Sequence, residues 1–216
     1  MSSPERLAYW YLRLNGFLTI ENFVVHDDMT ANQRTDADIL AVRFGNRSEN
    51  LTKPMVDDQR VIDSSHFCNV VIAEIKSTDC ALNGPWTNQR DRNVERVLSA
   101  VGVVPANLLY DAACAIYKSG RFEMDGVMIR LMAFGDVRSR ITPEVEQVTF
   151  DEMIGFIWER FREYNLQKKS IGNWAPDGRE MRQLCPSPNT SLDDFRTAVR
   201  RLFGLRPEPP NRDVLL

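Results

Sequence analysis

The sequence predicts a mixed α/β protein, with a mixed central sheet covered by helices on both faces. Two observations carry this. Strand-like runs alternate with amphipathic stretches in the order helix, three strands, helix, two strands, helix. One of the runs, NVVIAEIKST, is apolar almost throughout, as expected of a strand covered on both sides. At 216 residues the chain is long enough for one substantial core.

The first helix starts at once. Ser2 or Ser3 can cap it, Pro4 suits its first turn, and Glu5 favours the positive end of its dipole. Leu7, Trp10, Tyr11 and Leu14 form its apolar stripe, and Asn15-Gly16 stops it. A first strand follows at 17–26, then a loop, DDMTANQR. The second strand, 35–44, places Asp36, Asp38, Leu40 and Val42 on one face by alternation. Residues 46–67 are polar and irregular, and 69–78 make the third strand. Thr87 or Asn88 caps a helix running to about residue 100, with Val94, Val97, Leu98 and Val101 inward and Gly102 as its stop. LLYDAACAIYKS and GVMIRLMAFGDV read as two more strands, joined around GRFEMDG. An amphipathic helix spans 149–169. The remainder, 170–216, is an extension: a loop or wrap rich in Pro, Gly, Asn and Ser, a short helix capped by Ser191, and a tail. It packs on the 1–169 domain or at a dimer interface, with Leu192, Phe195, Val199 and Leu202 as the packing face.

Composition narrows the function classes. Net charge is −3, so no global basic field marks a nucleic-acid binder, although a local basic face or bound metal ions can still engage phosphates. Cys68, Cys80, Cys114 and Cys185 form no CxxC, and His26 and His66 add no zinc-like spacing. Free thiols in a reducing cytoplasm are expected. MSSPERLAYW has no basic region leading into an apolar run, and no stretch is long and apolar enough to span a bilayer, so no membrane role is expected.

The chemistry concentrates on two strands. Glu74 and Lys76 share a face, roughly 7 Å apart along the strand. If the second strand is the neighbour, Asp38 converges with them. Buried charges of this kind are costly unless paired or bound to a metal. Two carboxylates beside a lysine suit phosphodiester hydrolysis, because Mg²⁺ binds through one or two carboxylates plus water and substrate phosphate. A lysine beside it steadies the attacking water or the developing charge.

Asp38 in TDADILAVR, with Glu74 and Lys76 in IAEIKS, resembles the pattern of the PD-(D/E)xK, or restriction-endonuclease-like, nuclease superfamily. The resemblance covers about residues 1–135. It implies an αβββαβ core and a metal-dependent nuclease, most simply a DNase, with Mg²⁺ as cofactor and Mn²⁺ able to substitute. Asp38 and Glu74 would hold the metal, with the main-chain carbonyl of Ile75 as a further ligand, and Lys76 would position or activate water. Glu5 matches the first-helix glutamate of many members. Asp36 and Gln89 are accessory candidates. The prolines that often precede the acid are absent, and the 46–67 insertion lengthens the separation from Asp38 to Glu74.

The resemblance further suggests a bare nuclease module, targeted as a homodimer or by a partner protein, with genome defence or DNA processing as its setting. Two alternatives stay open: a catalytically inactive nucleic-acid-binding or scaffold protein on the same fold, and an RNase, since 2′-hydroxyl recognition leaves no short sequence mark. Each site residue also has a plainer role. Asp38, Glu74 and Lys76 can form a structural ion pair, Glu5 a dipole partner, Asp36 a solvated acid and Gln89 an exposed helix side chain. His26 with Asp27 and Asp28 reads as a solvated loop, and Trp86 in NGPW as a packing anchor. Ser77 and Thr78 bond nearby backbone. Arg90, Arg92 and Arg96, and the RTAVRR set, are phosphate-contact candidates that read equally as solvated helix faces.

Overall fold

A computed structural model describes residues 3–26, 33–49, 51–52 and 55–207. Most of the DDMTANQR loop, Ser2 as a cap and the end of the tail from 208 lie outside the described residues. Six strands form one mixed sheet in the order β1-β2-β3-β5-β4, with β6 also pairing β5. They are β1 (Leu18–His26), β2 (Gln33–Phe44), β3 (Cys68–Ile75), β4 (Arg121–Met124), β5 (Val127–Gly135) and β6 (Glu146–Thr149). β1, β2 and β3 run antiparallel in turn, whereas β3 and β5 are parallel. The mixed sheet flanked by helices is therefore as the sequence suggests.

Parallel neighbours need a long crossover. Here it holds α2 (Gly84–Thr87), α3 (Asn93–Val101) and α4 (Leu109–Ser119). The helix expected at about 87–100 is thus broken: Asn88 caps a 3-10 turn, Gln89–Asp91, and Arg92, at φ 55°, separates it from α3. α4 corrects the strand expected at LLYDAACAIYKS. Its buried residues, Ala112, Ala113 and Ile116, form a helical stripe rather than an alternation. Three alanines favour helix over strand, and Gly120, at φ 71°, ends it. GRFEMDG is itself β4, turning through Asp125-Gly126 into β5. Both turn residues have positive φ, as a tight two-residue hairpin requires.

The remaining helices are α1 (Ser3–Leu14), α5 (Phe150–Glu163), α6 (Pro176–Gln183) and α7 (Leu192–Leu202). α5 starts with a capping box: the Thr149 hydroxyl accepts from Glu152 N at 3.3 Å, and Thr149 N donates to the Glu152 carboxylate at 2.8 Å. It ends earlier than its sequence pattern suggests.

Two cores lie on the two faces. Ile39, Ala41, Val71, Ala73, Met132 and Phe134 pack against α1, α5, α6 and α7. Leu40, Val70, Ile72, Ile129 and Leu131 pack against Trp86, α3 and α4. β3 is buried along its whole length, which explains its unbroken apolar run.

The segment from 170 to 207 belongs to the first core through Met181, Cys185, Phe195 and Val199. It is also tied to α1. Trp174 stacks on Trp10 at 4.8 Å, and Arg6 bonds both Asp177 oxygens at 2.5 and 2.9 Å. Gly178 is required beneath that ring, since a Cβ there would lie 2.0 Å from Trp10. No helix of the described residues is long and apolar enough to cross a membrane.

Residues 46–67 form no helix or strand among those described, yet they are anchored. Asp57 accepts from Arg43 Nη2 at 2.5 Å and from Arg160 Nη2 at 2.9 Å, with all three side chains buried. Removing the shared partner leaves two buried guanidinium groups short of a carboxylate. Asp57→Ala is expected to lower unfolding free energy by about 3–5 kcal/mol, measured by urea titration. A loss below about 1 kcal/mol would mean that this network does not anchor the segment.

Candidate functional site

The β2–β3 ladder ends at Ile39 opposite Ala73. The next row would set Asp38 against Glu74, and there the backbone pairing stops. The Ile75 amide still points toward β2, and the Asp38 side chain takes the place of a backbone acceptor: Asp38 Oδ2 accepts from Ile75 N at 2.7 Å. The following amide, Lys76 N, points the other way and donates to Phe134 O on β5 at 2.9 Å. An extended residue sends its N–H and C=O to the same side, so the Ile75 carbonyl also faces this opening.

Glu74 lies on the face covered by the crossover and is 1% exposed. Both of its oxygens have donors. Lys76 Nζ bonds Oε1, and Trp86 Nε1 donates to Oε2 at 2.7 Å. Lys76 can reach because residues two apart on a strand share a face. Trp86 is delivered by α2, which turns the chain back under β3 with Pro85 in its first turn. The indole is wholly buried.

Burial raises the Asp38 carboxyl to about 6, and the neighbouring Glu74 charge adds to the rise. The Ile75 amide and Lys76 pull it back, while Glu5 pushes it further up. Glu74 is raised too, first by burial, with Lys76 and Trp86 opposing and Asp36 adding repulsion. Glu5, from the first turn of α1, and Asp36 thus act on the pair through their charge.

β2 is less regular than alternation suggests. Ile39 and Ala41 join the core under α1, but Ala37 joins the core on the opposite face. The alternation of β2 therefore breaks between Ala37 and Ile39.

The other candidates lie elsewhere. Gln89 donates to Cys114 Sγ at 2.9 Å and is not joined to the trio. His26 is exposed at the end of β1. His66 precedes β3, at the far end of that strand from Glu74, and meets Glu123 at 3.0 Å. Arg92 pairs with Glu95, and Arg196 and Arg200 bond Asp193, Asp136 and Asp151. Trp86 was legible only as an anchor. The signal for its polar role is general: a buried indole N–H needs an acceptor, and Glu74 is the acid on that face.

Among the described residues, no three His, Cys, Asp or Glu side chains gather closely enough to form a ready metal cluster. The donor set is all oxygen: two carboxylates and a main-chain carbonyl. That suits Mg²⁺, which takes one or two protein carboxylates and keeps several waters, rather than a dedicated all-protein cage.

The fold and site define a mixed α/β protein with a carboxylate–lysine cluster where two antiparallel strands part. Comparison of the chain with protein-family models, with curated proteins and with solved structures finds no match to any of them.

The Asp38 shift has a consequence for stability. The folded carboxyl binds its proton more tightly than the ordinary value of 3.8. Between about pH 4 and about pH 6 the folded state therefore holds more protons than the unfolded state, and Asp38's contribution falls as pH rises. Asp38→Asn keeps an acceptor for Ile75 and removes the titration. Wild type is expected to lose stability relative to this variant between about pH 4 and about pH 7, read from urea midpoints at each pH. A pH-independent difference would refute the shift.

Proposed function

We propose that this chain is a metal-dependent nuclease of the PD-(D/E)xK type, with DNA as the favoured substrate. The observation that carries this reading is the junction of Asp38, Glu74 and Lys76 where the β2–β3 ladder opens. The restriction-endonuclease-like core belongs to the same proposal. Its support is the helix followed by three antiparallel strands, with a helical crossover to a parallel neighbour.

Asp38, Glu74 and the Ile75 carbonyl would hold Mg²⁺, with Glu5 assisting from α1. The bound ion would supply charge stabilisation at the scissile phosphate and an acidified water. Lys76 binds Glu74 and lies partly open to solvent, at 30% side-chain exposure, so its ammonium can move to the nucleophilic water or a non-bridging oxygen. Asp38, half-buried and repelled by two other acids, is poised to gain from any cation that arrives.

A non-catalytic binding or scaffold role is favoured by a different observation. Both Glu74 oxygens already have hydrogen-bond donors, so the acid is satisfied as it stands. Cleavage assays separate the two readings. With Mg²⁺ or Mn²⁺, the protein is expected to cut plasmid or oligonucleotide DNA, and Lys76→Ala or Glu74→Ala to lower the rate at least about a hundredfold. Matched DNA and RNA strands decide the sugar preference. Absence of both metal binding and cleavage would leave the scaffold role. Full activity in either variant would remove this site assignment.

A further inference from the structure

The row that carries Asp38 and Glu74 extends across a third strand. In the β1–β2 ladder, Glu21 pairs with Ile39 and Phe23 with Ala37, so Asn22 lies opposite Asp38. That one row is missing from the pairing. Asn22 has φ 51°, a conformation in which most L residues are strained and which asparagine tolerates better than most.

Both strands change face at this row. Glu21 meets Arg6 on the α1 side at 2.8 Å, whereas Phe23 and Val25 pack on the Trp86 side. Ile39 packs on the α1 side and Ala37 on the Trp86 side. Residues two apart should share a face. The strands therefore twist together across Asn22 and Asp38, and β2 leaves β3 at the same point. A local backbone distortion beside a site is a known way to re-aim a side chain.

We propose that Asn22 is a positioning residue for Asp38. Its positive-φ backbone drops the Asn22–Asp38 row from the ladder and turns the Asp38 carboxylate into the gap, onto the Ile75 amide. The register and the Ile75 hydrogen bond fix the Asp38 placement whether or not a metal binds. Its extension to metal binding rests on the function proposed above.

The Ile75 amide reports the placement directly, and Lys76 N, bonded to β5, is its internal control. Amide exchange by NMR is the measurement. Asn22→Val disfavours positive φ, and Ile75 is expected to exchange at least about tenfold faster than in wild type while Lys76 is unchanged. Asn22→Gly accepts the backbone and should keep Ile75 within about threefold of wild type. Asp38→Ala should reproduce the valine phenotype. If the valine variant does not fold, Asn22→Ala carries the same comparison.

A folded valine or alanine variant with Ile75 as slow as wild type overturns the proposal. So does equal acceleration of Ile75 and Lys76, which would mean general fraying. Titration with Mn²⁺ alone then tests the extension, with affinity expected to fall at least about tenfold in the valine variant and to hold in the glycine variant. Wild type that binds no Mn²⁺ would sink the nuclease reading and the extension with it, while the exchange data still decide the positioning role.

Discussion

The hydrogen bond from Ile75 N to Asp38 is the constraint on which the site depends. A backbone amide in the middle of a sheet must find an acceptor. Where β2 parts from β3 no carbonyl is present, and the Asp38 carboxylate fills the place at 2.7 Å. Burial and the Glu74 charge raise this acid's affinity for a proton, and the same Ile75 amide pulls it back. Backbone bookkeeping and site electrostatics are here the same event.

The scaffold brings the rest to that point from separate elements. The parallel pairing of β3 with β5 forces a crossover, and the first turn of that crossover lays Trp86 under Glu74. On the opposite face, α1 is fixed by Arg6 to Asp177 and by Trp10 to Trp174, so Glu5 is presented by a helix held at both its charged and its aromatic contacts. The segment after 170 is thus part of what holds the first helix, and with it Glu5.

How much of this was legible follows from which physical signal each part leaves. The alternation in β1 and β2, the unbroken apolar run of β3, the amphipathic α5 with its Thr149 and Glu152 box, and the Asp38, Glu74 and Lys76 trio all write themselves into residue types and spacing. α4 did not, because a short, mostly apolar run fits either period until its neighbours choose. β4 was hidden because four residues closed by Asp125-Gly126 are too short to show alternation. α6 carries few apolar residues, and its close packing shows in Gly178 against Trp10 and in buried Met181. The face change at Asn22 and Asp38 leaves no mark in hydropathy at all, since it is a property of register rather than of composition. That is why alternation alone does not show the break between Ala37 and Ile39.

The charge balance of the site argues about its purpose. An ion pair kept only for stability needs one acid for one base, and well-packed apolar residues of similar volume often serve as well. Here Asp38 is repelled by Glu74 and by Glu5, and Glu74 by Asp36, with Lys76 as the cation acting on both. This repulsion adds to burial in strengthening both acids' hold on a proton. Carboxylates with raised proton affinity beside a lysine, at a break in a buried sheet, are what the metal-dependent reading proposed above would use. The strained backbone at Asn22 is a second local feature. Both features fall on the row that, in the proposed reading, places Asp38 on the Ile75 amide.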